Sequence, residues 1–350
     1  MAQQKGRGTS SNLQGRFESL VREACADQET METLPSLKTT VGFIQAKSIL
    51  AYNQSPDIPF DRSINPYQGC EHGCTYCYAR PSHAYLELSP GLDFETKLFA
   101  KTNAAALLRK TLSAPGYQPQ VIALGANTDP YQPIEKELKI TRQLIEVMAE
   151  YNHPFAIVSK NALVERDLDL LAPIAQKHLT HVFISVTNLD HVLASRLEPR
   201  ASSPTRRLET IAKLTEAGVP TGVMVAPVIP LLTDCFMEEI LERAKEAGAI
   251  MAGYTVLRLP NEVAPLFQEW LNVHYPLKAK HVMSLVRQMH GGKIYDATFG
   301  VRHQGSGIFA NLFAQRFKRT CEKLGLNKEI PTLVTNAFCI PNKALQLNLF

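Results

Sequence analysis

Cys70, Cys74 and Cys77 stand in a CxxxCxxC spacing within the stretch Asn65-Pro66-Tyr67-Gln68-Gly69-Cys70-Glu71-His72-Gly73-Cys74-Thr75-Tyr76-Cys77-Tyr78-Ala79-Arg80. Three thiolates so spaced can hold three corners of a cubane [4Fe–4S] cluster and leave the fourth iron without a protein ligand. An open iron is a chelation point. The amino and carboxylate groups of S-adenosylmethionine (SAM) can occupy it, and one electron from the cluster then cleaves the sulfonium. The product is a 5′-deoxyadenosyl radical that abstracts hydrogen from an unactivated position. Tyr76, the residue before the last cysteine, is placed to flank the adenine.

Two plainer chemistries compete for these residues. A structural zinc would need a fourth ligand, and His72 and His83 lie nearby. Zinc ribbons, however, carry paired CxxC knuckles, and this sequence has no second pair. An electron-carrying ferredoxin would need a fourth cysteine, but Cys25, Cys235, Cys321 and Cys339 are scattered. An odd total of seven cysteines, three of them clustered, argues for a metal site over a disulfide framework.

Such a motif needs a scaffold. Of the 350 residues, 45% are hydrophobic and 20% charged, as in ordinary globular proteins. Lysine plus arginine exceed aspartate plus glutamate by 37 − 33 = 4, a balance compatible with a nucleic-acid substrate without demanding one. No apolar run reaches membrane-spanning length, and Met1 to Asn12 carries no apolar signal-peptide core. The expected location is the cytoplasm, with no membrane partner.

Short β-rich runs recur at Ile64–Gln68, Val121–Gly125, Phe155–Ser159, Val182–Val186, Thr221–Val228 and Gly253–Leu259, with amphipathic helical patterns between them. Ser203-Pro204 reads as an N-cap followed by proline at the first helical position, and Gly218 as the stop. Another helix opens near Thr233-Asp234 and ends at Gly248. This alternation predicts an α/β fold, a partial (β/α)6-type barrel, with a doubly wound open sheet as the competing arrangement. Ligands then belong at the C-terminal ends of the strands. The expected organisation is a mobile arm over 1–40, the barrel over 41–260, a helical appendage over 261–340 and a tail over 341–350. Helices are expected at Leu266–Val273, Leu277–His290 and Ile308–Leu324.

The chain resembles the radical SAM proteins grouped with spore photoproduct lyase, described as DNA repair photolyase-like. The resemblance rests on Asn65–Arg80, Gly125–Glu135 (GANTDPYQPIE), Ser185–Pro204 (SVTNLDHVLASRLEPRASSP) and Ala217–Asp234 (AGVPTGVMVAPVIPLLTD). It implies a [4Fe–4S] cluster, SAM and an electron donor. It also implies that Gly125, Asn127, Thr128 and Asp129 receive the methionyl amino group, and that Ser159 and Lys160 meet the SAM carboxylate. Glu198 and Arg200 follow the fourth strand, where Arg200 suits a carboxylate fork; a surface salt bridge between the two is the alternative. Spore photoproduct lyase returns a hydrogen atom from a thiol near the second strand, where this chain reads Ala123-Leu124-Gly125-Ala126. Cys235, after the fifth strand, is the remaining candidate donor or radical relay; a small buried hydrophobe is its plainer role.

Two features lean toward DNA or RNA. Arg316, Lys318 and Arg319 form a basic turn around Phe317, and Gly305-Ser306-Gly307 precedes the same helix, with Arg302 and His303 beside it. Gln346, Leu347, Asn348, Leu349 and Phe350 resemble the QL(S/D)LF peptide that docks bacterial repair and replication proteins on the DNA sliding clamp. The reading is an enzyme that begins radical chemistry on a nucleic-acid base. Radical modification of tRNA, a peptide or a metabolite is the first alternative. A non-catalytic, clamp-associated zinc protein with His72 as fourth ligand is the second.

Overall fold

Residues 6–18 and 37–341 are described by a computed structural model. Its strands are β1 (Thr40–Ile44), β2 (Leu50–Tyr52), β3 (Arg62–Ile64), β4 (Tyr67–Gln68), β5 (Lys97–Lys101), β6 (Ile122–Leu124), β7 (Phe155–Ser159), β8 (Thr180–Ser185), β9 (Thr221–Val228) and β10 (Met251–Val256). The larger sheet runs β2-β3-β6-β7-β8-β9-β10, in chain order. All pairs from β3 to β10 are parallel, and β2 adds antiparallel to β3. A doubly wound sheet reverses its strand order partway. Here every crossover steps the same way, which keeps the helices on one face and curls the sheet into a barrel wall. No pairing joins β10 to β2 among the described residues, so the wall stays open, as a partial barrel.

Apolar side chains at alternate strand positions build the core: Ile122, Phe155, Ile157, Val182, Ile184, Val223 and Val225 are fully buried on one face of the sheet. The helices begin where their caps direct. Ser203 accepts a hydrogen bond from the Arg206 N–H and Pro204 opens the helix Pro204–Glu216, whose Ile211 and Leu214 face the sheet. The expected strand Ile64–Gln68 is split into β3 and β4, because Pro66 has no N–H to continue a ladder. Its carbonyl instead accepts from Lys101 N–H.

The last strand, β10, starts two residues before the expected run, and its free edge is closed by Asn327, whose side chain bonds both N–H and C=O of Ala252. Helices Val263–His274, Pro276–Met289 and Gly307–Leu324 form the appendage. Residues 325–341 are not helical; they run beneath the barrel, where Val334 N–H donates to His178 O and Cys339 N–H to Tyr151 O. No helix among the described residues is long and apolar enough to cross a membrane.

Within 1–40, expected as a mobile arm, residues 7–9 are seated on the body of the protein. Arg7 and Thr9 are buried. Gly8 and Thr9 donate their N–H groups to the Glu95 carboxylate at 2.9 and 3.0 Å, and Arg7 donates to Glu95 O at 2.9 Å. This strap lies flat on the cysteine loop, so tightly that a Cβ on Gly8 would stand 1.7 Å from Gly73 O. Composition concealed it because the partners of these polar residues lie some 87 positions away. Gly8→Ala should therefore lift the strap and lower stability by about 1–3 kcal/mol. Urea unfolding of the metal-free protein measures this; an unchanged midpoint would contradict the seating.

Candidate active site

The cysteine loop has little regular structure of its own and is held by its surroundings. Cys70 N–H donates to Phe94 O at 3.0 Å, and Thr75 N–H to Leu197 O at 3.0 Å. Gln132, fully buried, accepts from Glu71 N–H at 2.9 Å and donates to Gly69 O at 3.2 Å. Arg80, also fully buried, donates to Cys74 O at 2.9 Å, to Pro90 O and Gly91 O at 3.0 Å, and to Glu95 Oε1 at 2.6 Å. Cys70 and Cys74 are buried and Cys77 half-buried.

Burial pushes all three thiols above their ordinary range, and the charges of the other cysteines push Cys70 further; the Arg80 guanidinium and Lys160 ammonium oppose the rise at Cys77. Without metal they are thiols, and iron must displace their protons. Three sulfur donors on one loop are the donor set that a [4Fe–4S] cluster takes. The fourth zinc ligand expected at His72 is engaged elsewhere: its Nδ1 faces Asp129 Oδ2 at 3.4 Å and its Nε2 lies 3.1 Å from Asn161 Nδ2. Of the other described cysteines, Cys321 is buried in the helix Gly307–Leu324, and Cys235 and Cys339 are exposed.

The structure redistributes the residues expected to bind SAM. Gly125 follows β6 at φ +91, and a Cβ there would stand 2.2 Å from Val158 O, so only glycine brings this turn against β7. Asp129 is consumed in holding the site. It accepts from Ser159 Oγ at 2.8 Å, Tyr131 N–H at 2.9 Å and Lys160 N–H at 2.7 Å. Burial alone would raise its pKa, but His72 and these N–H groups hold it at about 2. Asp129 and Ser159 thus tie the β6 turn to the end of β7. Thr128 is likewise spent, donating to Tyr67 O at 3.1 Å. Asn127 instead lines an open cavity, and Lys160 has no hydrogen-bond or ion-pair partner for its ammonium among the described residues while standing in the field of Cys74, Cys77 and Glu198.

Glu198 and Arg200 do not pair. Glu198 is buried and accepts from Arg207 Nη2 at 2.5 Å, from Thr187 Oγ1 at 2.6 Å and from the Tyr76 hydroxyl. Arg207 reaches it from the helix Pro204–Glu216 and also donates to Ser202 O and Ser185 O. Arg200 turns outward to Glu71 Oε1 at 3.1 Å. Tyr76 therefore anchors the loop: its hydroxyl is bound to Glu198 and its ring belongs to an apolar cluster with Leu193 and Leu197. Cys235 is exposed in the short 3₁₀ turn Asp234–Phe236, in the field of Asp234, Lys278 and Arg316.

At the mouth, the ends of β3, β6 and β10 surround a cavity of about 260 Å³ lined by Asn65, Tyr78, Asn127, Arg258, Arg302 and His303, among others. Tyr78 adjoins the last cysteine and was expected either to tune the cluster or to touch substrate; Arg258 was not singled out from the sequence, since one lone arginine after a strand carries no pattern. Nor were Arg207, Gln132 and Glu95, although Gln132 sits inside the TDPYQP string. Arg316 of the basic turn is bound to Glu238 at 2.7 Å, and Lys318 faces Glu322 at 3.9 Å. Gln346, Leu347, Leu349 and Phe350 lie outside the described residues.

The family model for the radical SAM superfamily matches residues 64–247. An uncharacterized protein of Mycobacterium tuberculosis (strain H37Rv) is 38% identical over 245 residues, covering 68% of this chain and 72% of its own length. A protein of Pseudomonas phage M6, named radical SAM Nalpha-GlyT isomerase, is 27% identical over 223 residues, 61% of this chain and 44% of that protein. Among solved structures, spore photoproduct lyase complexed with dinucleoside spore photoproduct superposes with a TM-score of 0.55 at 16% identity, over 82% of this chain and 80% of that one. A variant of that lyase with bound AdoMet and the same dinucleoside gives 0.57 at 18%, over the same shares.

The buried Arg207–Glu198 pair yields a test. Arg207→Met leaves Glu198 buried without its cation and should cost about 3–5 kcal/mol at neutral pH. The folded-state pKa of Glu198 is lowered from 4.5 to about 2, so its contribution is present above 4.5 and lost as pH falls toward 2. Urea titrations should show the deficit of Arg207→Met shrinking across that window. A pH-independent deficit would contradict the assignment.

Proposed function

Because the chain belongs to the radical SAM superfamily, whose members use a [4Fe–4S] cluster and SAM, we propose that it is an enzyme starting radical chemistry on a nucleic-acid base at the open mouth of its barrel. When bound, cluster and SAM together supply a 5′-deoxyadenosyl radical. Cys70, Cys74 and Cys77 hold the cluster. Lys160 is the cation for the SAM carboxylate, and Gly125 and Asn127 present the turn that borders the methionyl end. Asp129, Ser159 and Glu198 act through others: they fix the β6 turn, the end of β7 and the cysteine loop relative to one another.

The observation that carries this reading is Lys160. A cation placed next to Cys74 and Cys77, with its own carboxylate neighbour Glu198 already neutralised by Arg207, is available to an anionic ligand. The base is favoured as substrate by the aromatic and cationic mouth, where Tyr78 directly follows Cys77 and Arg258 lies over its ring at 4.9 Å. The solved complexes of spore photoproduct lyase with a dinucleoside support the same class on a shared fold. A lyase reaction of that type lacks a cysteine at 123–126, and Cys235 is not proposed to replace it.

Lys160→Met should raise the Kd for SAM at least tenfold while iron content stays at wild-type level; equal affinity would remove Lys160 from the site. For the substrate, reconstituted, dithionite-reduced enzyme is incubated with SAM and oligonucleotides deuterated on the bases. Deuterium recovered in 5′-deoxyadenosine supports the reading, and its absence alongside transfer from deuterated peptide would replace the substrate class. In this reading Gln346, Leu347, Leu349 and Phe350 dock on a DNA sliding clamp. Removing these residues should abolish capture by purified clamp and leave 5′-deoxyadenosine formation unchanged; retained capture would refute the docking role.

A further inference from the structure

Arg258 follows β10 at the barrel mouth and is unlike the arginines around it. Arg80, Arg207 and Arg302 each meet a carboxylate within 2.6 Å. Arg258 has none within ion-pair distance among the described residues. Its Nη2 donates weakly to Tyr295 OH at 3.3 Å, its Nη1 lies 3.4 Å from His303 Nδ1, and its Nε is buried without a partner. Its guanidinium lies over the rings of Tyr78 at 4.9 Å and Tyr295 at 5.8 Å, which desolvate its faces without neutralising it.

The surrounding charges leave that cation uncompensated. No carboxylate lines the cavity among the described residues, and Asp57, which meets the lining residue Arg302, is committed to it through two hydrogen bonds of 2.8 and 2.6 Å and to Gly300 N–H at 3.2 Å. His303 is neutral near pH 7, since burial and the two arginines hold its pKa at about 4. The remaining polar lining consists of uncharged groups, including Asn65, Asn127, Ser55 and Ser63. Tyr78 is fixed by its hydroxyl, which donates to Ala126 O in the β6 turn, yet 44% of its surface is exposed. An uncompensated guanidinium beside a fixed, accessible aromatic face matches one phosphate and one adjoining base of a nucleic-acid strand.

We propose that Arg258 binds a backbone phosphodiester of the substrate strand, holding it so that the neighbouring base enters the cavity against Tyr78. This rests on the nucleic-acid reading above and adds the residue that grips the strand. The geometry favours a diester over a terminal phosphate: the cavity offers one such cation, and the described lining supplies no second cation free of a carboxylate.

The test compares fluorescein-labelled thymidine tetranucleotides with ordinary phosphodiester or with uncharged methylphosphonate linkages, bound to wild type, Arg258→Gln and Arg258→Lys in the presence of SAM. Arg258→Gln should weaken the phosphodiester probe about tenfold and reduce the salt dependence by roughly one counterion. Its affinity for the methylphosphonate probe should equal that of wild type, and Arg258→Lys should recover part of the loss. Equal iron content and melting temperature across the three proteins exclude misfolding as the cause. Wild-type binding that Arg258→Gln leaves unchanged, or weakens equally for both probes, overturns the phosphate contact and spares the nucleic-acid reading. Failure of wild type to bind either probe at low salt overturns both.

Discussion

Everything in the active site depends on holding an irregular, buried loop still. The cysteine loop brings polar backbone into an apolar setting, where each unpaired N–H or C=O would cost several kcal/mol. The chain satisfies those groups with side chains and backbone from the elements around the loop. Gln132 takes Glu71 N–H and Gly69 O, Arg80 takes Cys74 O, and Leu197 O takes Thr75 N–H. The same contacts that satisfy the loop fix the three sulfurs relative to the barrel mouth.

Two buried ion pairs carry this arrangement, and each explains a segment that looks unrelated to it. Arg80–Glu95 gathers the strap at residues 7–9, so an N-terminal segment becomes a cover for the loop. Arg207–Glu198 gathers Tyr76 and Thr187, so the LEPR segment becomes a second support for the loop. A buried pair is weak evidence for added stability, but breaking one is costly. Conformational specificity, a single loop position presenting three ligands to one cluster, is a sufficient reason for this chain to keep both.

The fold was largely legible because its signals are local. Strand runs, the Ser203-Pro204 cap and the Gly218 stop depend on neighbours in sequence, and β7 and β9 fall at the expected residues. The CxxxCxxC spacing is equally local, and the superfamily match bears out the cluster and SAM read from it. What failed were partner assignments across the sheet. Glu198 and Arg200 are expected as cofactor-binding residues, with a salt bridge between them as the alternative, whereas Arg207 reaches Glu198 from the following helix and Arg200 faces Glu71. Asp129 and Ser159 were read as ligands because acidic and hydroxyl groups at strand ends suit both roles. Only the structure shows their oxygens already occupied by each other and by backbone N–H groups.

The central claim is that Cys70, Cys74 and Cys77 hold a cluster with one iron open to SAM. Mössbauer spectroscopy of ⁵⁷Fe-reconstituted protein, recorded under strict exclusion of oxygen with and without SAM, addresses it most directly. The account predicts four irons per chain, with one iron site of four changing its isomer shift and quadrupole splitting when SAM is added. Four irons whose parameters SAM leaves untouched, or a protein that excludes iron and holds one zinc, would contradict it.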